Sequence, residues 1–271
     1  MSLGFPSRFG RWLLLGVAAV LLLSVNQIVA ASPNSGDPAE ARRILKSMSD
    51  YMAGQQNLSA RFDVSMEIIT PQIETIQFVA SGDIMLNRPN NLRVHRTGGY
   101  NDVQLFSNGQ TATIVDTDRH SYASLPSPGT TDQLINLLQQ QHGIAMPAAD
   151  LLLTNSYDEL MRDVLTAAHI GLGVVDGVEC NHLAFRNADV DWQIWIRTGD
   201  RPLPCRYVIT SKTIAGGPQY EVTFHDWVVN PATPGAFTYA PPSGSTQVPF
   251  QDLTNIGELP QPAPFSQGRG Q

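Results

Sequence analysis

Leu58-Ser59-Ala60-Arg61-Phe62-Asp63-Val64-Ser65-Met66-Glu67-Ile68 decides the fold, because its character changes at every residue. Leu58, Ala60, Phe62, Val64, Met66 and Ile68 form one set, and Ser59, Arg61, Asp63, Ser65 and Glu67 form the other. Successive side chains of a strand point to opposite faces, so this spacing predicts a long antiparallel strand with one face buried and one wet. Thr70-Pro71-Gln72 is a turn, and a second long strand follows through Leu86. Its even positions Ile76, Phe78, Ala80, Ile84 and Leu86 continue the apolar face, and Thr75, Gln77, Ser81 and Asp83 continue the polar one. Further strands are predicted near 91–97, 102–107, 110–116 and 119–124, separated by turn residues that include Asn108-Gly109. Asn-Gly is among the strongest hairpin signals a sequence offers.

On the N-terminal side, residues 37–57 read as a helix. Asp37 suits the N-cap, Pro38 the first turn, and Ala41, Ile44, Leu45, Met48, Tyr51 and Met52 recur at helical spacing up to Gly54 and Asn57. On the C-terminal side, residues 125–130 break the strand series. A helix is predicted over 130–142, with Leu134, Ile135, Leu137 and Leu138 on one side, then short helices over 147–153 and 158–164. Strands resume near 167–176, 178–186, 190–198, 204–213 and 219–229. The tail from Asn230 is rich in Pro, Gly, Ser and Gln and is expected to be irregular, with 251–271 disordered. Long strands with one apolar face must close on themselves or be covered. The expected fold is therefore mainly β (α+β): a curved antiparallel sheet or incomplete β-barrel of about eleven strands, with helices on its concave side, forming one domain over 37–250.

The first residues carry an address. Arg8 and Arg11 precede an apolar run of about 14 residues from Trp12 to Val25, and Val29-Ala30-Ala31-Ser32 is a small-residue exit. The run is short of the roughly 20 residues a membrane-spanning helix needs, so residues 1–31 read as a signal peptide cleaved after Ala30 or Ala31. Removing them takes two arginines and no acids from a chain of formal charge −7, leaving −9. An acidic exported protein repels nucleic-acid phosphate, so no nucleic-acid partner is expected. Charged residues make up 15% of the chain, against a typical ~25%, so the wet faces must be built largely from uncharged polar residues.

Val175-Asp176-Gly177-Val178-Glu179-Cys180-Asn181-His182-Leu183-Ala184-Phe185 is followed by Val190-Asp191-Trp192-Gln193-Ile194-Trp195-Ile196. Together with Pro202-Leu203-Pro204 and Phe237-Thr238-Tyr239-Ala240-Pro241-Pro242, this pattern resembles a family of bacterial predicted periplasmic proteins classed as domain of unknown function 2092. The likeness runs over roughly residues 37–250. That family is similar in fold to the LolA/LolB lipoprotein carriers and to the N-terminal domain of the periplasmic stress regulator RseB. The resemblance implies an incomplete barrel of about eleven strands lidded by helices, with a hydrophobic cavity for acyl chains. It assigns no functional residue.

Chemistry-bearing clusters are sparse. Asp116, Asp118 and His120 alternate as a metal or acid–base set would, but Asp-Thr-Asp between two strands is ordinary turn chemistry. His95, His142, His169 and His225 are scattered one per element, and G-x-S-x-G and HExxH patterns are absent. No catalytic residue, metal or cofactor is expected. The candidate site is instead a cavity lining: Phe62, Met66, Phe78, Ile84, His182, Trp192, Ile194, Tyr220 and Phe224. The expected function is that of a periplasmic, monomeric binding protein holding an acyl chain, lipid or lipoprotein-like apolar ligand. The alternative is an RseB-like sensor acting on a membrane or lipoprotein partner, with an enzyme a distant third. A hairpin turning near residue 188 sets Cys180 opposite Ile196, and one near 200–201 sets Cys205 opposite the same residue. Two strand spacings, roughly 9.5 Å, then separate the cysteines, too far for a disulfide. They are expected to be close but unbridged.

Overall fold

Asp37 caps the first helix, as expected. Its carboxylate accepts from the backbone N–H groups of Ala39 and Glu40, and helix α1 runs Pro38–Ala53 to a cap at Gly54. The period-two segments become β1 (Asn57–Ile69) and β2 (Thr75–Asn87), paired without interruption from Asn57↔Asn87 to Ile69↔Thr75. Even residues stand opposite even residues, as in Phe62↔Gly82 and Val64↔Ala80, so both strands put their apolar sets on one face. The meander continues through β3 (Asn91–Gly98), β4 (Asp102–Asn108), β5 (Thr111–Asp116) and β6 (Ser121–Pro126).

A helical insertion follows. Helix α2 (Thr131–Asn136) opens on a capping box between Thr130 and Gln133. It then widens into a π-helical turn at Leu137–Gln141, where the sequence pattern alone predicts continuous helix to His142. A 3₁₀ turn at Ala149–Leu152 and helix α3 (Ser156–Met161) complete the insertion. A second meander then runs through β7 (Thr166–Val175), β8 (Val178–Arg186), β9 (Val190–Arg197), β10 (Pro204–Ser211) and β11 (Gln219–Val229). The β7–β8 hairpin turns on Asp176-Gly177, both at positive φ (48° and 78°), the two-residue turn that matches the twist of its strands.

The eleven expected strands are all present. A twelfth, β12 (Thr246–Gln247), pairs parallel with β6. The sheet order is β12-β6-β5-β4-β3-β2-β1-β11-β10-β9-β8-β7, an open curved sheet with every other pairing antiparallel. The computed structural model describes residues 36–230, 237–253 and 256–257, all within one unit spanning 33–271. The signal-peptide reading falls on residues 1–31, outside the described residues. Beyond β12, a 3₁₀ turn at Phe250–Asp252 leads to a buried Leu253; most of 251–271, where disorder is expected, lies outside the described residues. Helix α1 lies across β7, β8 and β9, and one apolar core joins α1, the insertion and the inner faces of both meanders.

The cysteine expectation is overturned, since Cys180 and Cys205 form a disulfide with Cα atoms 7.2 Å apart. The expected strand order holds, with β9 between β8 and β10, so the error lies in register. Cys180 pairs with Arg197, the last residue of β9, rather than with Ile196. Cys205 sits at an irregularity between Pro204↔Ile196 and Arg206↔Trp195 and has no ladder position of its own. The bridge therefore passes the end of β9, and a bulge supplies the approach that regular pairing denies.

Candidate functional site

The concave face holds a partly open cavity of about 170 Å³. Its floor is the central strands: Phe62 and Val64 of β1, Ile84 of β2, Leu92 and Val94 of β3, Val103 and Leu105 of β4, Ile114 of β5, and Tyr220, Val222 and Phe224 of β11. Its roof is the insertion, through Leu138, the run Ile144–Ala149, and Leu151 and Leu152, with Met52 of α1 and Ile256 of the tail at the margins. Among the described residues, Arg96 is the one charged side chain in this lining.

Local sequence explains the floor. On β1 and β11 the residues Phe62↔Phe224, Val64↔Val222 and Met66↔Tyr220 are direct partners, so the apolar sets of the first and last long strands meet on one face. Phe62 also stands opposite Gly82, where an added Cβ would run into the Phe62 ring and the backbone oxygen of His95. That glycine is what lets the ring lie down beside its neighbour strand.

Trp227 also lines the cavity, although simple alternation on β11 from Phe224 would turn it outward. The register between β1 and β11 jumps from Arg61↔His225 to Ser59↔Val228, and Asp226 lies at φ 50°. This bulge turns Trp227 inward, where its indole N–H donates to the carbonyl of Pro204 at 2.8 Å. No sequence periodicity marks it.

The roof is pinned from below. Arg88, at the end of β2 and nearly buried, donates to the carbonyl of Leu152 at 2.8 Å. Burial lowers its pKa, and the charge of Asp132 opposes that effect. Asp150, in the same 3₁₀ turn, retains some surface, but the atoms crowding its carboxyl group push its pKa up to about 6. Burial is the chief cause, partly offset by the backbone N–H groups of Leu151 and of Asp150 itself. Buried Tyr207 of β10 has its pKa raised by burial and then by the charge of Asp150.

Of the nine expected lining residues, Phe62, Ile84, Tyr220 and Phe224 border this cavity. Met66 and Phe78 lie instead around a separate cleft of about 10 Å³ that also touches Arg96 and Asn101. Trp192 and Ile194 are fully packed core, Trp192 stacked on Phe185 with ring centroids 3.9 Å apart. His182 is on the other face. It pairs with Trp195, stacks on that indole at 4.0 Å, and shares a 2.9 Å hydrogen bond with Gln193. Burial lowers its pKa, which favours the neutral ring.

The Asp116–His120 segment is a turn, as expected. Asp116 accepts from the N–H of Arg119, and Asp118 accepts from the N–H of Asp102. His225 lies between Asp63 (2.9 Å) and Asp176 (3.1 Å), and His95 lies 2.9 Å from Asp102. Even so, among the described residues no group of three or more His, Cys, Asp or Glu side chains is arranged to hold a metal ion. Among the same residues no helix is long and apolar enough to cross a membrane.

Comparison with solved structures gives likenesses at low identity. The lipoprotein LppX of Mycobacterium tuberculosis is 12% identical, with 73% of this chain and 100% of that one covered at a TM-score of 0.47. A LolA superfamily protein of Nitrosomonas europaea is 11% identical, with 73% and 97% covered at 0.35. The MucA/MucB complex of Pseudomonas aeruginosa gives 12%, with 72% and 58% covered at 0.39. At these identities and scores nothing about a ligand follows from the likeness. No curated protein matches the chain in sequence. The family model described as "Predicted periplasmic protein (DUF2092)" matches residues 41–251, and the chain belongs to that family.

Proposed function

We propose that this protein is a periplasmic, non-catalytic binding protein that holds an acyl chain or similar apolar ligand between its sheet and its helical insertion. The observation that supports this reading is the cavity itself, about 170 Å³ with aliphatic and aromatic side chains on nearly every wall. A well-packed interior leaves few voids larger than a water molecule, and an apolar cavity of ~150 Å³ is known to stay dry and take up benzene. A space of this size and lining is one that an apolar guest can fill with dispersion contacts. The described lining offers an aliphatic guest dispersion contacts, and among the described residues it holds no nucleophile–base pair. The alternative of a sensor acting on a membrane partner has no observation of its own at this site.

An environment-sensitive apolar dye should bind at about one per molecule to protein stripped of lipid. Val94→Trp, which drives an indole into the cavity floor, should weaken binding by roughly tenfold or more, while Arg61→Ala on the convex face leaves it unchanged. Failure of the stripped protein to bind any apolar probe would end this reading in favour of a vestigial void.

A further inference from the structure

Strand β7 is an edge of the sheet, and Thr166–Val175 holds no Lys, Arg, Asp, Glu or Pro. Charges and prolines are the residues that ordinarily blunt an edge against another chain. The opposite edge is covered: β12 pairs with β6, and the N–H groups of Thr246 and Val248 donate to the carbonyls of His120 and Tyr122. At β7 the cover among the described residues ends at His169, whose carbonyl accepts from the N–H of Gly36 at 3.3 Å. A bulge follows between His169 and Gly171, and residues 171–175 are the open stretch. Opposite Val174, the carbonyl of Glu179 accepts from the N–H of Thr198, just past β9. Val174 and Glu179 are thus a pair that shares no hydrogen bond, and Val174, with Leu172 by alternation, directs its N–H and C=O to the open edge. The side chains of Leu172 and Val174 share a face and are 64% and 71% exposed. Of the nine exposed large hydrophobic residues among those described, four lie within 165–174. Gly171 and Gly173 leave the other face bare, and at Gly173 the Trp195 indole would sit 3.1 Å from an added Cβ.

We propose that β7 pairs with itself: two copies of this chain join antiparallel through residues 171–175, about a two-fold axis at Gly173. Symmetry selects a second copy as the occupant. Turning the strand end for end about Gly173 sets Leu172 opposite Val174 of the second copy, and Val174 opposite its Leu172. Each of these residues offers one N–H and one C=O, so the two pairs exchange four hydrogen bonds with none left over. Apolar meets apolar at both pairs, the self-complementarity that a two-fold contact requires. A chain of formal charge −7 repels its copy over most of its surface, but on this strand no like charges are opposed. Five residues make only about 17 Å of edge, little beside the ~800 Å² per partner of a stable complex. The dimer is therefore weak, with a dissociation constant on the order of 100 μM, and the monomer expected from the sequence is the dilute state. β7 is four places from β11 in the sheet and contributes no residue to the described cavity lining, so pairing is independent of ligand.

Sedimentation velocity from about 5 μM to 1 mM should show the mean mass rising toward that of two chains. Val174→Lys should weaken association at least about tenfold, while Val79→Lys, at a residue 65% exposed on β2, should leave it unchanged. Register is read by cross-linking. An equimolar mixture of Leu172→Cys and Val174→Cys should form an intermolecular disulfide on mild oxidation with copper–phenanthroline, and neither variant alone should. Only the mixed pair brings its Cα atoms to about 5.5 Å, within disulfide reach. This readout stands even if Val174→Lys fails to fold. Protein that stays monomeric to about 1 mM overturns the proposal and leaves the edge to an extended segment of some other chain. Association that survives Val174→Lys overturns it by placing the contact elsewhere. Cross-linking of either variant alone as readily as of the mixture overturns the two-fold register.

Discussion

A single aspartate makes the roof sensitive to pH. Asp150 has its pKa raised to about 6 in the folded protein, against roughly 3.9 for an unperturbed aspartate. The folded state therefore binds more protons than the unfolded one between about pH 4 and 6, and stability falls as pH rises through that window. Because the residue keeps some surface, the loss should be on the order of 1 kcal/mol. Thermal melts at pH 4.5 and 7 should show it in the native protein and not in Asp150→Asn, after the common pH dependence of both is subtracted. On the floor, Ile84→Asp buries an unpaired charge and should cost about 3 kcal/mol or more, while Arg61→Ala, which removes an exposed ion pair to Asp226, should cost under about 1 kcal/mol. Equal melting temperatures for these two variants would refute the facing of β1 and β2. Individual lining residues were legible where alternation runs unbroken, as at Phe62, Ile84, Tyr220 and Phe224. His182 was misplaced by one residue of register. The β8–β9 hairpin pairs Cys180 with Arg197, not Ile196, and a slip of one sends every side chain to the opposite face. Arg96 carried a signal that went unread, a charge in an apolar register after Leu92 and Val94.

Among the elements, the strands of both meanders could be read almost to their ends, because period two and turn chemistry are local properties. Bulges could not. The irregularity at Cys205 closes a disulfide, and the one at Asp226 turns Trp227 into the cavity, yet both depend on which strand lies alongside. The helical insertion was legible as helix but not as roof, since the contact of Arg88 with Leu152 joins residues 64 apart. The disulfide spans a sequence separation of 25, and loop-closure entropy puts its contribution at roughly 3.5 kcal/mol. Denaturant titrations with and without reductant should show a loss of that order. Alkylation of unreduced, denatured protein should add no label, and two labels per chain would mean the thiols are free.

At the scale of the molecule, the feature that organises everything is the seam between β1 and β11. Each meander is built from neighbours in sequence, so its internal order followed from hairpins. The seam joins Arg61 to Asp226, residues 165 apart, and nothing local announces it. It also runs beneath the cavity, so the binding floor is complete only once both halves have met. This gives the seam a meaning in time. In chain order β1 is first among the strands and β11 last among the long ones, so until both halves have folded one edge of β1 lies bare beside the β1–β2 hairpin. Bringing the two together costs on the order of 4.5 kcal/mol of chain entropy before a single contact of the seam compensates it. The partly folded chain, rather than the mature protein, is thus the stage at which this fold stands most open to capture by a chaperone or to mispairing with another copy.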